Sequence, residues 1–136
     1  MGEHEVIVLD THAWIWWVSS PELLSSKSKN AINSAIQKDE VHISAISAWE
    51  VAMLEKRGRL KLTMSVRDWI AKSEMLPYIQ FIPVSTHIAV ESVGLPGSFH
   101  DNPADRIIVA TARSMNAVLI TKDDKILKYS HVKTLW

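Results

Sequence analysis

The chain contains no cysteine. That absence excludes disulfide frameworks and zinc–thiolate centres, and it suits a reducing cytoplasm. There is no surplus of charge either: 15 Lys and Arg against 15 Asp and Glu leave a formal net charge of zero. Any contact with nucleic acid must therefore come from a local patch and not from a global basic field. No apolar run approaches the roughly 20 residues that a membrane-spanning helix requires, so no membrane segment is expected. The opening MGEHEVIVLD has no basic region and only a very short apolar run, which does not read as a signal peptide. Repeats, linkers and low-complexity tracts are also missing. A length of 136 residues fits one domain, residues 1–136, with one real core. These absences together describe a soluble cytoplasmic single-domain protein.

What the chain does have is apolar residues, nearly half of the total, and six tryptophans, of which Trp14, Trp16 and Trp17 crowd into one turn. Val6 to Leu9 is a β-branched apolar run without alternation, the pattern of a strand buried on both faces. Ala13, Trp14, Trp17 and Val18 then recur at helical spacing, with Thr11 available as a cap, until Ser19-Ser20-Pro21. A second helix is expected over about 26–38 and a short strand at Val41-His42-Ile43. A third helix carries Ile46, Trp49, Val51 and Leu54 and ends at Gly58. Ser65-x-x-Asp68 resembles a capping box and starts a fourth helix through Trp69. Ile79 to Val84 reads as a strand, and Ser85 or Thr86 caps a short helix through Val93. Strands alternating with helices predict a three-layer α/β/α sandwich around a central, mainly parallel sheet of about five strands.

The stretch from His100 to Asp124 organises the rest. Asn102 is a good N-cap, and proline at the first helical position, here Pro103, loses no hydrogen bond. The helix that follows is apolar on most faces, and Ala117 to Ile120 supplies a central strand. In such a layer the helix runs antiparallel to the strand it feeds, so its start and the strand's end share one edge of the sheet. Ligands bind at that carboxyl edge in folds of this class. The polar residues placed there are Asp10 after the first strand, Glu50 after the second, Asp105 in the helix's first turn and Asp123 after the fourth strand.

Taken singly, each acid has a plainer explanation. Ser47-x-x-Glu50 also matches a capping box, Asp105 complements a helix dipole, Asp123 or Asp124 caps the short helix after it, and Asp10 is a turn residue. Jointly the plain explanations weaken, because capping uses Ser, Thr and Asn as readily as acids. Two carboxylates about 4 Å apart repel by roughly 4 kcal/mol at an effective dielectric of about 20. Gathering four raises their pKa values or destabilises the fold unless a cation sits among them. Oxygen-only donors point to a hard ion, Mg²⁺ or Mn²⁺, which commonly takes its remaining ligands from phosphate oxygens. The residues thus lead to a metal-dependent phosphoryl-transfer site.

Four motifs then converge: Leu9-Asp10-Thr11-His12-Ala13, Ser44 through Ala52 with Ser47 and Glu50, Asp101 through Ala112 with Pro103, Asp105 and Arg106, and Leu119-Ile120-Thr121-Lys122-Asp123. In this order they resemble the PIN-domain family, and within it the VapC ribonuclease toxins of VapBC toxin–antitoxin pairs. The resemblance spans nearly the whole chain. It implies a Mg²⁺- or Mn²⁺-dependent endoribonuclease acting on single-stranded RNA, a homodimer, and a small antitoxin partner that inserts a helix and an extended tail near the active site. The acids carried over are Asp10, Glu50, Asp105 and Asp123. Asp101 matches an acid before the helix, Thr121 the usual Ser/Thr two residues before the fourth acid, and the doubled Asp123-Asp124 leaves two candidates for that acid.

The remaining residues are weighed against the same background. Arg106, next to Asp105, would pair with a site carboxylate or reach the scissile phosphate. His12 suits a helix surface better than a general base, and His100 lies in a loop near the site. The cluster Lys56, Arg57, Arg59 and Lys61 is a solvated face or, as a minority reading, a phosphate contact for RNA. The tryptophans read as core or interface anchors, and their bulk suggests more apolar surface than a small monomer buries. A dehalogenase-type phosphatase wants Asp-x-Asp, and here the third position is His12. The alternative from another class is a catalytically weak PIN-like module that binds RNA or protein; the intact set of four acids argues against it.

Overall fold

A computed structural model describes residues 5–136. Residues 1–4, the first part of the stretch read above as lacking a signal peptide, lie outside the described residues. Five strands form one sheet: β1 (Ile7–Leu9), β2 (Val41–Ser44), β3 (Ile79–Ile82), β4 (Val118–Ile120) and β5 (Lys133–Leu135). Their spatial order is β3-β2-β1-β4-β5, and every pairing is parallel. The helices are α1 (Thr11–Ser19), α2 (Ser26–Ile36), α3 (Ala45–Lys56), α4 (Val66–Glu74), α5 (Thr86–Val93), α6 (Pro103–Ser114) and α7 (Asp124–Leu127). Among the described residues no helix is long and apolar enough to cross a membrane.

The apolar runs explain the layering. Successive side chains of a strand point to opposite faces, so Ile7 and Leu9 enter one core while Val8 enters the other; Val118 and Ile120 part from Leu119 in the same way. The first core takes its other walls from α1, α2 and α4, and the second from α5, α6 and α7. The three inner strands, β2, β1 and β4, are buried along their whole length, as strands without alternation should be. Edge strand β5 is only partly covered.

Local chemistry sets the helix ends. Asn102 caps α6 by accepting from Asp105 N at 3.0 Å, with Pro103 at the first position. Ser65 caps α4 and Ser85 caps α5 through the N–H three residues on. Gly58 adopts a φ of 72° just past α3, and Arg59 N reaches back to Leu54 O at 2.9 Å; a residue without Cβ takes this left-handed turn at little cost.

Two expectations are corrected. Thr11 does not cap α1: Asp10 does, accepting from Ala13 N at 2.8 Å, and Thr11 is the first helical residue with its hydroxyl turned elsewhere. Ser47-x-x-Glu50 is no capping box, because Ser44 caps α3 and Ser47 is already inside the helix. The tryptophans read as core anchors are so at Trp14 and Trp69, while Trp16 and Trp17 of the crowded turn are half-buried against the same core. Trp14 is 0% exposed and Trp69 3% within the single chain. They meet with centroids 4.8 Å apart. Each indole N–H has a partner, Trp14 Nε1 to Ser73 Oγ at 3.0 Å and Trp69 Nε1 to Ser19 Oγ at 3.1 Å. Trp49, at 56%, is the exposed exception.

Candidate active site

At the carboxyl edge of the sheet the strand ends and helix starts leave a cleft of about 500 Å³, lined by Asp10, Glu50, Asp105 and Asp123 together with Thr11, His12, Trp16, Asn102, Ile108 and Lys122. All four acids drawn from the strand-end argument thus border one cavity. Each arrives by a different route. Asp10 follows β1 directly and its main chain is tied to the neighbouring strand, Asp10 N donating to Ile120 O at 3.1 Å. Glu50 projects from the second turn of α3, Asp105 from the first turn of α6, and Asp123 from the turn between β4 and α7.

Hydroxyls hold the carboxylates in place. Thr121 Oγ1 donates to Asp10 Oδ2 and accepts from Asp123 N at 3.1 Å, so one side chain positions two acids. Thr11 Oγ1 donates to Glu50 Oε1 and stands 2.9 Å from the buried Ser47 Oγ. Asp123 Oδ1 accepts from Lys125 N at 2.8 Å and Ile126 N at 3.2 Å, so Asp123 both caps α7 and faces the cleft. Asp124 is the exposed first residue of α7, outside the cleft lining. Of the doubled acids, Asp123 is the one that lines the cleft.

Thr11, Ser47 and Asn102 were not singled out from sequence as site residues. Nothing local marks the first two, since Ser47 lies 36 positions from Thr11.

The electrostatics are those of crowded, half-buried acids. Burial pushes the Asp10 carboxyl up to about 6, against the hydrogen bonds from Thr121 and Ala13 that favour its charge. Burial, and then the charges of Glu50, Asp123 and Asp10, push Asp105 up to about 7, with Lys125 pulling the other way. Perturbation by desolvation plus a specific set of like charges, in a cleft, is the mark of a functional site. His100 adds a neighbour. Its Nδ1 accepts from Asn102 N at 3.4 Å, which assigns the proton to Nε2. That atom lies 3.2 Å from Asp105 Oδ2, buried and out of line for a hydrogen bond.

Two accessory residues fall elsewhere. Asp101 is exposed and outside the cleft lining. Arg106 neither pairs with a site acid nor faces the cleft. Its guanidinium donates to the carbonyls of Ser92, Val93, Phe99 and His100 at 2.8–3.2 Å, so it clamps the loop between α5 and α6. A fork of five donors suits that task, and four of the five are engaged by carbonyls away from the cleft.

The donor set suits a hard divalent cation. Every anionic donor is a carboxylate oxygen, and the raised pKa values of Asp10 and Asp105 record burial first and like charge second, both of which a cation would offset. Among the described residues no group of three or more His, Asp or Glu side chains is gathered closely enough to form a ready-made metal centre; a Mg²⁺ held by one or two carboxylates, its other positions filled by water, needs no such group.

A family model, the PIN domain, matches residues 7–132. The chain belongs to the PIN-domain family. A curated relative, Ribonuclease VapC22 of Mycobacterium tuberculosis, is 33% identical over 132 residues, covering 96% of this chain and 98% of its own length. Among solved structures, VapBC2 from Rickettsia felis bound to a promoter DNA fragment superposes with a TM-score of 0.69 at 15% identity, covering 96% of this PIN domain and 97% of that chain. FitAcB from Neisseria gonorrhoeae gives 0.68 at 19% identity, with 96% and 97% covered. At such identities these likenesses establish the fold. The five-stranded parallel sheet with helices on both faces is the PIN architecture anticipated from the motifs.

Proposed function

We propose that this PIN domain is an endoribonuclease that hydrolyses phosphodiester bonds of single-stranded RNA with Mg²⁺ or Mn²⁺, and that it is the toxin of a toxin–antitoxin pair. The observation that carries the reading is the meeting of Asp10, Glu50, Asp105 and Asp123 in one cleft, with Asp10 and Asp105 pushed toward neutral pKa values by burial and mutual repulsion. The ribonuclease name of the 33%-identical relative supports the same reaction.

Asp10 and Asp105 would hold the cation, being the two acids whose charged forms most need one. When bound, it supplies positive charge to the phosphate oxygens and makes a water more acidic. Thr11 holds the Glu50 carboxylate with one oxygen toward the helix, leaving Glu50 to take the proton of the attacking water. Asp123, fixed by three N–H and hydroxyl contacts of the β4–α7 turn, would orient that water. The water oxygen bonds to phosphorus, the bond to the 3′ oxygen breaks, and a proton passes to the departing oxygen. The 2′-hydroxyl takes no part.

A cognate antitoxin is the partner this reading supplies, supported by fold neighbours solved as toxin–antitoxin complexes. The homodimer implied by the family resemblance belongs to the same proposal, with Val90 and Val93 of α5 exposed as apolar surface for it, and so does a cytoplasmic location, where RNA is at hand. The test is the chemistry of the ends. Mass spectrometry of products from the Mg²⁺ reaction should find 5′-phosphate and 3′-hydroxyl termini. Termini with 2′,3′-cyclic phosphate would contradict water as nucleophile.

A further inference from the structure

An acidic cleft repels the polyanion it is to cut, and a chain of zero net charge offers no global field to overcome that. Positive charge must therefore stand close to the cleft. The structure contains such a place, outside the acids and unused by the reaction above. A basin of about 320 Å³ lies beside the cleft, with Lys125, Lys128, His100 and His131 in its lining and no carboxylate among its walls. Two residues join it to the acids. His100 lines the basin and turns Nε2 to within 3.2 Å of Asp105. Lys125 lines it and acts on Asp105 as a counter-charge.

The basin is built, not a chance gathering of surface lysines. Asp123 caps α7 from the cleft side, and the same short helix carries Lys125 while Lys128 follows at its end; residues three apart on a helix share a face. Tyr129 donates through its hydroxyl to Pro96 O, tying the segment after α7 to the loop before α6. Phe99 and His131 pack on either side of Tyr129, with centroids 4.7 and 5.4 Å away. Arg113 donates to the His131 carbonyl. Gly97, at a φ of 68°, leaves the floor open: a Cβ there would crowd His131 Nε2 at 3.1 Å.

We propose that this basin is a backbone-phosphate subsite, seating a phosphate of the RNA strand next to the scissile one. The chemistry is that of an oxyanion met by two ammonium groups and the ring of His131, with no base read, so it contributes affinity and path without sequence preference. The exposed cluster Lys56, Arg57, Arg59 and Lys61 is a second candidate for phosphate, since Arg57 lines a groove with Glu50 and Asn102, but none of its residues lines the basin. The inference rests on the ribonuclease reading, yet it can be tested apart from cleavage.

The experiment measures the affinity of the full chain for a labelled single-stranded RNA by fluorescence anisotropy across a salt series, and KM and kcat in Mg²⁺. Each phosphate contact adds about 0.7 to the slope of log affinity against log salt for a single strand. Lys125→Gln/Lys128→Gln should lower that slope by about 0.7, for the one phosphate seated there, and weaken binding about tenfold at low salt. Both lysines are exposed, so the melting temperature should hold. Lys128→Gln alone should raise KM with kcat unchanged, the sign of uniform binding lost. An unchanged slope in the double variant would overturn the proposal. So would a loss confined to Lys56→Gln/Arg59→Gln, or a lysine effect on an acidic peptide and not on RNA. If wild type binds RNA with the expected slope but cuts none in Mg²⁺, the subsite stands and the ribonuclease reading fails.

Discussion

Replacing Asp10 by asparagine should make the metal-free protein more stable at pH 8 while abolishing its response to divalent cations. Burial raises the Asp10 carboxyl from its ordinary 3.8 to about 6. At about 1.4 kcal/mol per tenfold change in proton affinity, the ionised carboxylate costs the fold about 3 kcal/mol once the pH is well above 6. Asparagine keeps an oxygen for Ala13 N, so the cap of α1 survives. It loses the acceptor for Thr121, whose hydroxyl already accepts from Asp123 N; that unmade bond costs about 1 kcal/mol. The net gain is about 1–2 kcal/mol at pH 8, or roughly 3–6 °C in melting temperature for a chain of this size. The gain vanishes in acid. A carboxyl whose folded pKa is raised contributes stability below its unfolded pKa and loses it as pH rises through about 6, so near pH 4 the variant should gain nothing. Differential scanning calorimetry in EDTA and in Mg²⁺, at both pH values, reads all of this. A variant destabilised at pH 8, or one stabilised by Mg²⁺ as much as wild type, would refute the reasoning.

Other consequences follow from the same geometry. Asp105, raised to about 7 by burial and the charges of Glu50, Asp123 and Asp10, should behave similarly at higher pH. The stability difference between Asp105→Asn and wild type in EDTA should grow from pH 5 to pH 8, and a flat difference would show that the charges do not interact. Arg106→Ala frees four carbonyls between Ser92 and His100. Amide exchange and limited proteolysis should quicken there, with a loss of about 2 kcal/mol in urea unfolding. Ser73→Ala strands the Trp14 indole N–H in a fully buried position and should lower stability by about 1–3 kcal/mol in the same assay, leaving RNA cleavage intact.

Much of this was legible in the chain itself. The caps at Asn102-Pro103, Ser65 and Ser85, and the unbroken apolar runs at Val6–Leu9 and Ala117–Ile120, are local signals, and local signals survive into the fold. The meeting of four acids was legible too, because it depends only on strand ends and helix starts sharing one edge. What could not be read depends on partners distant in sequence. Thr121 reaches Asp10 across 111 positions and Thr11 reaches Glu50 across 39, so the assignments of Thr11 and Ser47 as caps failed: each hydroxyl had a tertiary partner that local pattern does not reveal. Trp14 and Trp69 were legible as core anchors, but Ser19 and Ser73, whose hydroxyls satisfy the indoles and let one chain bury them, were not. Arg106 looked available for a phosphate because its neighbour is Asp105, yet side-chain reach placed it among carbonyls of the preceding loop.

The central claim is that Asp10, Glu50, Asp105 and Asp123 act as one cation-dependent hydrolytic site. The direct measurement is the single-turnover rate of RNA cleavage in EDTA, Mg²⁺ and Mn²⁺ for wild type and Asp10→Asn. Wild type should cut only with the divalent ion, and Asp10→Asn should be slower by about a hundredfold or more, the scale of losing one charge fixed against the reacting phosphate. Undiminished cleavage by wild type in EDTA, or by Asp10→Asn in Mg²⁺, would contradict the account.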